Sequence, residues 1–401
     1  MAGSDPALGG LHHVTAITGR ADANLAFYTG VLGLRLVKKT VNQDDVSAYH
    51  LFYGDELGGP GTEVTFFHWP QAGANRPGTG TVSALALSVP DRAALAWWGE
   101  RLEAQGVAHG ACTERRGHGV LPFTDPEGQR LELVEAAGAP GPGGRPWARS
   151  PVPPAMAIRG LHGVTLTLAA AAPTVARLAG LLGFRRVETR TEADGTALTV
   201  LECGPGGPGS EVRLAVPPSL RRGQPGIGGV HHVALRTPDG AAQREWERRL
   251  GAAGVPNSSI VDRYYFQSLY FREPGGVLLE IATDGPGFAT DEPADRLGEQ
   301  LALPPFLEPR RAEIEAGLPP LGAGEPPASG PREGRTGPRA GAARPGAAAV
   351  PVRAPGRPAC PRAARRSVPG SGESGRVLAL RTLGEANLPV QVVARLLAAG
   401  R

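Results

Sequence analysis

At 401 residues, 41% of them hydrophobic and 5% aromatic, the chain exceeds one ordinary domain and has apolar mass for a real core. Its formal charge of +4 is uneven: residues 331–401 hold 13 Arg and 3 Glu with no Lys or Asp, which is +10 and leaves −6 on residues 1–330. An acidic body argues against a nucleic-acid surface on the folded part, and no apolar stretch approaches the roughly 20 residues that span a bilayer.

Three scattered cysteines (Cys112, Cys203, Cys360), with no CxxC, fit a reducing compartment. No basic region followed by an apolar run is read near Met1. The expected location is therefore cytoplasmic.

In chain order, Leu11-His12-His13-Val14-Thr15-Ala16-Ile17 alternates like a strand and leads to a helix ending at Val31-Leu32-Gly33-Leu34. Asp55-Glu56-Leu57-Gly58-Gly59-Pro60 reads as a turn, followed by a strand through Val64 and Phe66. Residues 84–135 then match 232–283. Pro90-Asp91 sits over Pro238-Asp239, Trp98 over Trp246, and Leu131-Glu132-Leu133 over Leu279-Glu280-Ile281. A looser copy of the first segment starts at Leu161 and passes through Leu181-Leu182-Gly183-Phe184 and Gly209 to Leu214. Four copies of one strand–helix–three-strand unit result.

A single βαβββ unit has one apolar sheet face and open edges, so the units should pair into cupped sheets. The expected fold class is α+β, with four βαβββ modules in two cupped mixed sheets and a disordered C-terminal tail. Residues 8–150 hold modules 1 and 2, and residues 158–290 hold modules 3 and 4. Residues 291–321 read as an extension packed on the body, with a short helix over Arg310–Gly317. Residues 322–401 form a Pro-, Arg-, Gly- and Ala-rich tail.

The repeats also act as an internal control for chemistry. At the position of His232 the modules carry His13, Ala84, Gly163 and His232; at that of Glu280 they carry Thr65, Glu132, Arg213 and Glu280. Modules 1 and 4 together offer two imidazoles and a carboxylate, the ligand set of an open non-haem Fe(II) site. One metal site is expected, in a cup made by the first and last modules.

Adjacent side chains of an ideal strand point to opposite faces. The register therefore selects His13 and His232 as ligands and leaves His12 and His231 as orienting or acid–base groups. Thr65 is a poor donor where an isomerase of this architecture would need a fourth ligand. Glu132 reads as a relic or a surface carboxylate, and His50, His68, His109 and His118 as ordinary packed or surface histidines.

Leu11-His12-His13-Val14-Thr15, the run Tyr49 to Thr62, Gly229-Val230-His231-His232-Val233 and Pro274-Gly275-Gly276-Val277-Leu278-Leu279-Glu280 resemble the vicinal-oxygen-chelate superfamily. Within it the resemblance is to the hydroquinone ring-cleaving dioxygenases, over roughly residues 8–320. It implies Fe(II), with Mn(II) as the alternative, held by His13, His232 and Glu280. It implies a substrate-contacting set of His12, Thr15, His231, Arg263 and Tyr270, with a small dihydroxyaromatic molecule and O2 as partners. His12 or His231 would move protons, Tyr270 would hydrogen-bond the substrate, and Arg263 would stabilise developing negative oxygen. A homo-oligomer is compatible with this reading. The rival readings are a metal-dependent isomerase or lyase on the same ligands, and a non-catalytic protein that sequesters an aromatic ligand.

Overall fold

The computed structural model describes residues 6–321, apart from 137, 140 and 142. The tail expected over 322–401 lies outside the described residues.

Module 1 comprises β1 (Leu11–Thr18), α1 (Ala21–Leu25, continued by a π-helical turn over Ala26–Val31), β2 (Arg35–Asn42), β3 (Asp45–Gly54) and β4 (Glu63–His68). Module 2 has β5 (Thr81–Val89), α2 (Arg92–Ala104), β6 (Thr113–Arg115), β7 (His118–Thr124) and β8 (Arg130–Glu135). Module 3 has β9 (Gly160–Thr167), α3 (Ala172–Gly180), β10 (Arg185–Thr191), β11 (Ala197–Glu202) and β12 (Glu211–Val216). Module 4 has β13 (Gly229–Thr237), α4 (Gly240–Ala252), β14 (Asn257–Asp262), β15 (Gln267–Arg272) and β16 (Leu278–Thr283), and α5 (Arg311–Gly317) follows.

In each module the first strand pairs in parallel with the last, and the other three form an antiparallel meander. This leaves one edge of each first strand unsatisfied, and modules meet there. β1 pairs antiparallel with β13, joining modules 1 and 4 into an eight-stranded sheet of order β14-β15-β16-β13-β1-β4-β3-β2. β5 pairs with β9 in the same way, giving β10-β11-β12-β9-β5-β8-β7-β6. The fold is α+β, with two curled mixed sheets.

Local chemistry explains why the helices start where they do. The Asp91 carboxylate accepts from Ala94 N at 2.9 Å, and Asp239 accepts from Ala241 N and Ala242 N, both at 2.9 Å. These are N-caps for donors that have no partner inside the helix. Trp98 and Trp246, two helical turns beyond these caps, are buried against their sheets. Asp91→Ala and Asp239→Ala should each cost about 1 kcal/mol, read as a lower denaturant midpoint at unchanged slope.

Turns at Gly61 and Gly209 tie the two sheets together. Leu161 N donates to the Gly61 carbonyl at 2.8 Å and Leu11 N to the Gly209 carbonyl at 2.7 Å, both glycines at positive φ (92° and 85°) that a side chain would strain. The segment 291–321 packs on module 1 through Leu303, Leu307, Ile314 and Leu318, and Tyr49 Oη donates to the Pro319 carbonyl at 2.9 Å. Among the described residues no helix is long and apolar enough to cross a membrane.

His162, the module 3 counterpart of His12, is buried with Nδ1 3.2 Å from Ser88 Oγ. Burial first, then Arg213 and Arg115, push its pKa from 6.5 down to about 3. The unfolded chain therefore takes up a proton here that the folded chain refuses. The stability this gives is present above pH 6.5 and lost as pH falls through the window toward 3. His162→Gln should flatten that loss in denaturant titrations between pH 7 and 5 (roughly the upper part of this window).

Candidate metal centre

Two β-bulges build the site. Between β1 and β13 the register runs Leu11↔Leu235 to Val14↔Val233, so one extra residue is accommodated on β1 at His12-His13. It then runs Thr15↔His232 to Ala16↔Val230, with the extra residue on β13 at His231. A bulge breaks the alternation of an ideal strand and re-aims side chains. Neighbouring histidines thereby come into contact: His12 Nδ1 lies 3.0 Å from His13 Nδ1, and His231 Nδ1 lies 2.8 Å from His232 Nδ1.

The tautomers follow from the partners. Thr283 O lies 3.1 Å from His12 Nε2 and can only accept, so His12 carries its proton on Nε2. Burial, then His13, push the His12 pKa down to about 3, which keeps the ring neutral and its Nδ1 an acceptor. His13 must then donate from Nδ1, which leaves a lone pair on Nε2. The His231–His232 contact fits the same polarity and frees His232 Nε2.

Those two lone-pair nitrogens face Glu280. His13 Nε2 and His232 Nε2 are 3.3 Å apart, and Glu280 Oε2 lies 3.3 Å from the first and 3.0 Å from the second. Ligands about 2.1 Å from a transition ion and at right angles to each other sit about 3.0 Å apart, so the triangle suits one face of an octahedron. Glu280 is 0% exposed, and neither of its oxygens receives a hydrogen bond of acceptable geometry. A buried carboxylate without donors is costly, and a divalent cation would satisfy it.

A second trio of His12, His13 and Glu63 also comes within metal-binding reach among the described residues. It fits an ion poorly, because His12 engages both ring nitrogens in the contacts just described. Burial pushes the Glu63 pKa well up, which favours a neutral acid there.

A small cavity of about 40 Å³ opens beside the triangle, with His13, His232, His50, Phe266, Arg263 and Tyr270 in its wall. Tyr270 stands directly across from Glu280 on the neighbouring strand. Burial first, then Glu280, raise its pKa, so it stays a phenol. Arg263 stacks 5.6 Å from the Tyr270 ring and makes a two-pronged ion pair with Asp44 at 3.1 and 2.9 Å. Asp44 lies in the β2–β3 turn and Arg263 in the β14–β15 turn, so the hairpins at opposite edges of the sheet meet over the cavity.

The structure therefore brings His13, His232, Glu280, Tyr270 and Arg263 together. His12, His231 and Thr15 touch the cluster from behind and do not line the cavity. Thr15 Oγ1 lies 2.9 Å from His232 Nε2 and 2.8 Å from Thr65 Oγ1. His231 packs edge-on against Phe67 and Trp69, at 5.4 and 5.5 Å.

Sequence reasoning passed over His50, Asp44 and Phe266. His50 is on the cavity wall with Nε2 3.0 Å from Thr65 Oγ1, and burial followed by His13 and His232 pushes its pKa well down. One signal was available: His50 alternates with Phe52 on β3, and Phe52 pairs with Thr65, the residue at the fourth-ligand position.

The glyoxalase/bleomycin resistance protein/dioxygenase superfamily model matches residues 10–133 and 162–281. A Bacillus subtilis protein that bears the name ring-cleaving dioxygenase MhqA is 49% identical over 314 residues, covering 78% of this chain and 98% of that protein. The chlorohydroquinone/hydroquinone 1,2-dioxygenase of Sphingobium indicum is 34% identical, covering 76% of this chain and 94% of that protein. A Bacillus subtilis crystal structure titled as a dioxygenase superposes with a TM-score of 0.72 at 41% identity, over 80% of this chain and 99% of that one. With its matched modules spanning both sheets, the chain belongs to the glyoxalase/bleomycin resistance protein/dioxygenase superfamily.

Proposed function

We propose that the protein is a ring-cleaving dioxygenase that inserts O2 into a hydroquinone- or catechol-type dihydroxyaromatic, using Fe(II) held by His13, His232 and Glu280. One observation carries this reading: a donorless buried Glu280 beside two imidazole nitrogens, with an aromatic-walled cavity on the open side. The names of the relatives support the same chemistry. Bound there, Fe(II) would supply adjacent free positions for a substrate oxygen and O2, together with the one-electron chemistry that lets O2 react with a closed-shell ring.

The chain's own residues then divide the remaining work. His12 and His231 fix the ligand imidazoles by accepting their Nδ1 protons, an orienting role that such partners commonly serve. Tyr270, kept protonated, donates its phenol hydrogen to a substrate oxygen. Arg263, tethered by Asp44, offers its guanidinium to developing negative charge beside that oxygen. His50, a neutral imidazole on the cavity wall, is placed to accept the substrate hydroxyl proton. Phe52, Phe67 and Phe266 keep water from the ring.

An isomerase reading gains nothing from the site, since Thr65 is engaged with Thr15 and His50. The test is O2 uptake by the iron-loaded protein against a panel of hydroquinones and catechols. The proposal expects one O2 consumed per ring opened, loss of uptake with a chelator, and a fall of about 10²-fold in kcat for His50→Ala. Turnover without O2 consumption would defeat it.

A further inference from the structure

The second sheet repeats the geometry of the metal cup with different side chains. Ala84 pairs with Thr165 as His232 pairs with Thr15, and Glu132 sits against Ala86 as Glu280 sits against Ala234. Arg213 pairs with Thr165 as Thr65 pairs with Thr15. The carboxylate is thus retained while both imidazoles are gone, and a guanidinium enters from the fourth position. Arg213 Nη2 donates to Glu132 Oε2 at 2.7 Å, and Arg115 clasps the same carboxylate at 3.1 and 2.8 Å. The protein supplies its own cation where the first cup is built for a metal.

Losing the imidazoles leaves space. A cavity of about 590 Å³ lies over Ala84, Phe123, Leu131 and Leu198, well within the roughly 300–1,000 Å³ of ligand pockets. Arg213 lines it at 2% exposure, and its Nη1 has no hydrogen-bond acceptor; its Nε is 3.5 Å from Glu211. Buried guanidinium N–H groups without acceptors are costly. Arg130 adds a further positive charge to the cavity wall. Both carboxylates there are already engaged, Glu132 by Arg115 and Arg213, and Glu192 by Arg190.

We propose that this second cup binds a small organic monocarboxylate with a flat apolar body, its carboxylate on Arg213 and its body against Phe123 and Leu131. The inference does not depend on the chemistry at the metal centre.

Benzoate is the probe, titrated by calorimetry into the iron-loaded full chain. The expected result is one-to-one binding, weakened at least tenfold for the neutral isostere benzyl alcohol and at least tenfold by Arg213→Gln. Ala84→Phe, which fills the cavity and leaves the Arg213–Glu132 pair intact, should abolish binding with O2 uptake unchanged. That variant keeps the test decisive if Arg213→Gln fails to fold. Absence of benzoate binding up to about 10 mM (weaker than roughly 3 kcal/mol) would overturn the proposal. So would binding that survives Ala84→Phe but vanishes in Glu280→Ala, since benzoate would then sit at the metal centre.

Discussion

Glu280→Ala should leave the protein folded but without stoichiometric iron, and dioxygenase activity should be lost with the metal. The expectation rests on burial and geometry. Glu280 is wholly enclosed, its oxygens have no donor, and Oε2 completes the triangle with His13 and His232. Removing it leaves two imidazoles, too few ligands to hold an Fe(II) against dilution. The same account predicts a thermal signature. Excess Fe(II) at about 100 times its Kd should stabilise the native chain by about 2.7 kcal/mol, and should leave the variant's melting temperature unmoved. Iron retained at full stoichiometry in Glu280→Ala would remove the carboxylate from the ligand set.

His12→Ala should behave differently. His12 has no free nitrogen, because Nε2 bonds the Thr283 carbonyl and Nδ1 faces His13. If its work is to fix the His13 ring, the variant should bind iron about 10–100-fold more weakly and recover most of its kcat once iron is saturating. A direct proton-transfer role predicts the reverse, with unchanged iron affinity and kcat lower by about 10²–10⁴-fold at saturating iron. Measuring iron affinity and kcat on one preparation separates the two. His231→Ala should follow the same pattern, as the two histidine pairs are built alike.

Much of this architecture was legible because the chain repeats itself. Comparing His13, Ala84, Gly163 and His232 across four modules picks out the two that keep an imidazole there, and the strand register then brings them to Glu280. Alternation along a strand also singled out His13 and His232, whose Nε2 atoms lie 3.3 Å apart. It gave no account of their neighbours. His12 and His231 approach the ligand rings only because bulges break that alternation, and a bulge is set by pairing between strands some 200 residues apart (Thr15 with His232). Asp44 and Arg263 were unreadable as a pair for a similar reason: they lie at opposite edges of a sheet whose curl brings its outer hairpins together. Arg213 looked like the loss of a site. In the fold it is a buried cation with an N–H group to spare.

The most direct measurement is anomalous diffraction at the iron edge from crystals grown with Fe(II). A single peak within about 2.0–2.3 Å of His13 Nε2, His232 Nε2 and a Glu280 oxygen, with His12 and His231 bonded behind, is the predicted result. A peak ligated through Nδ1, or one lying away from Glu280, would contradict the account.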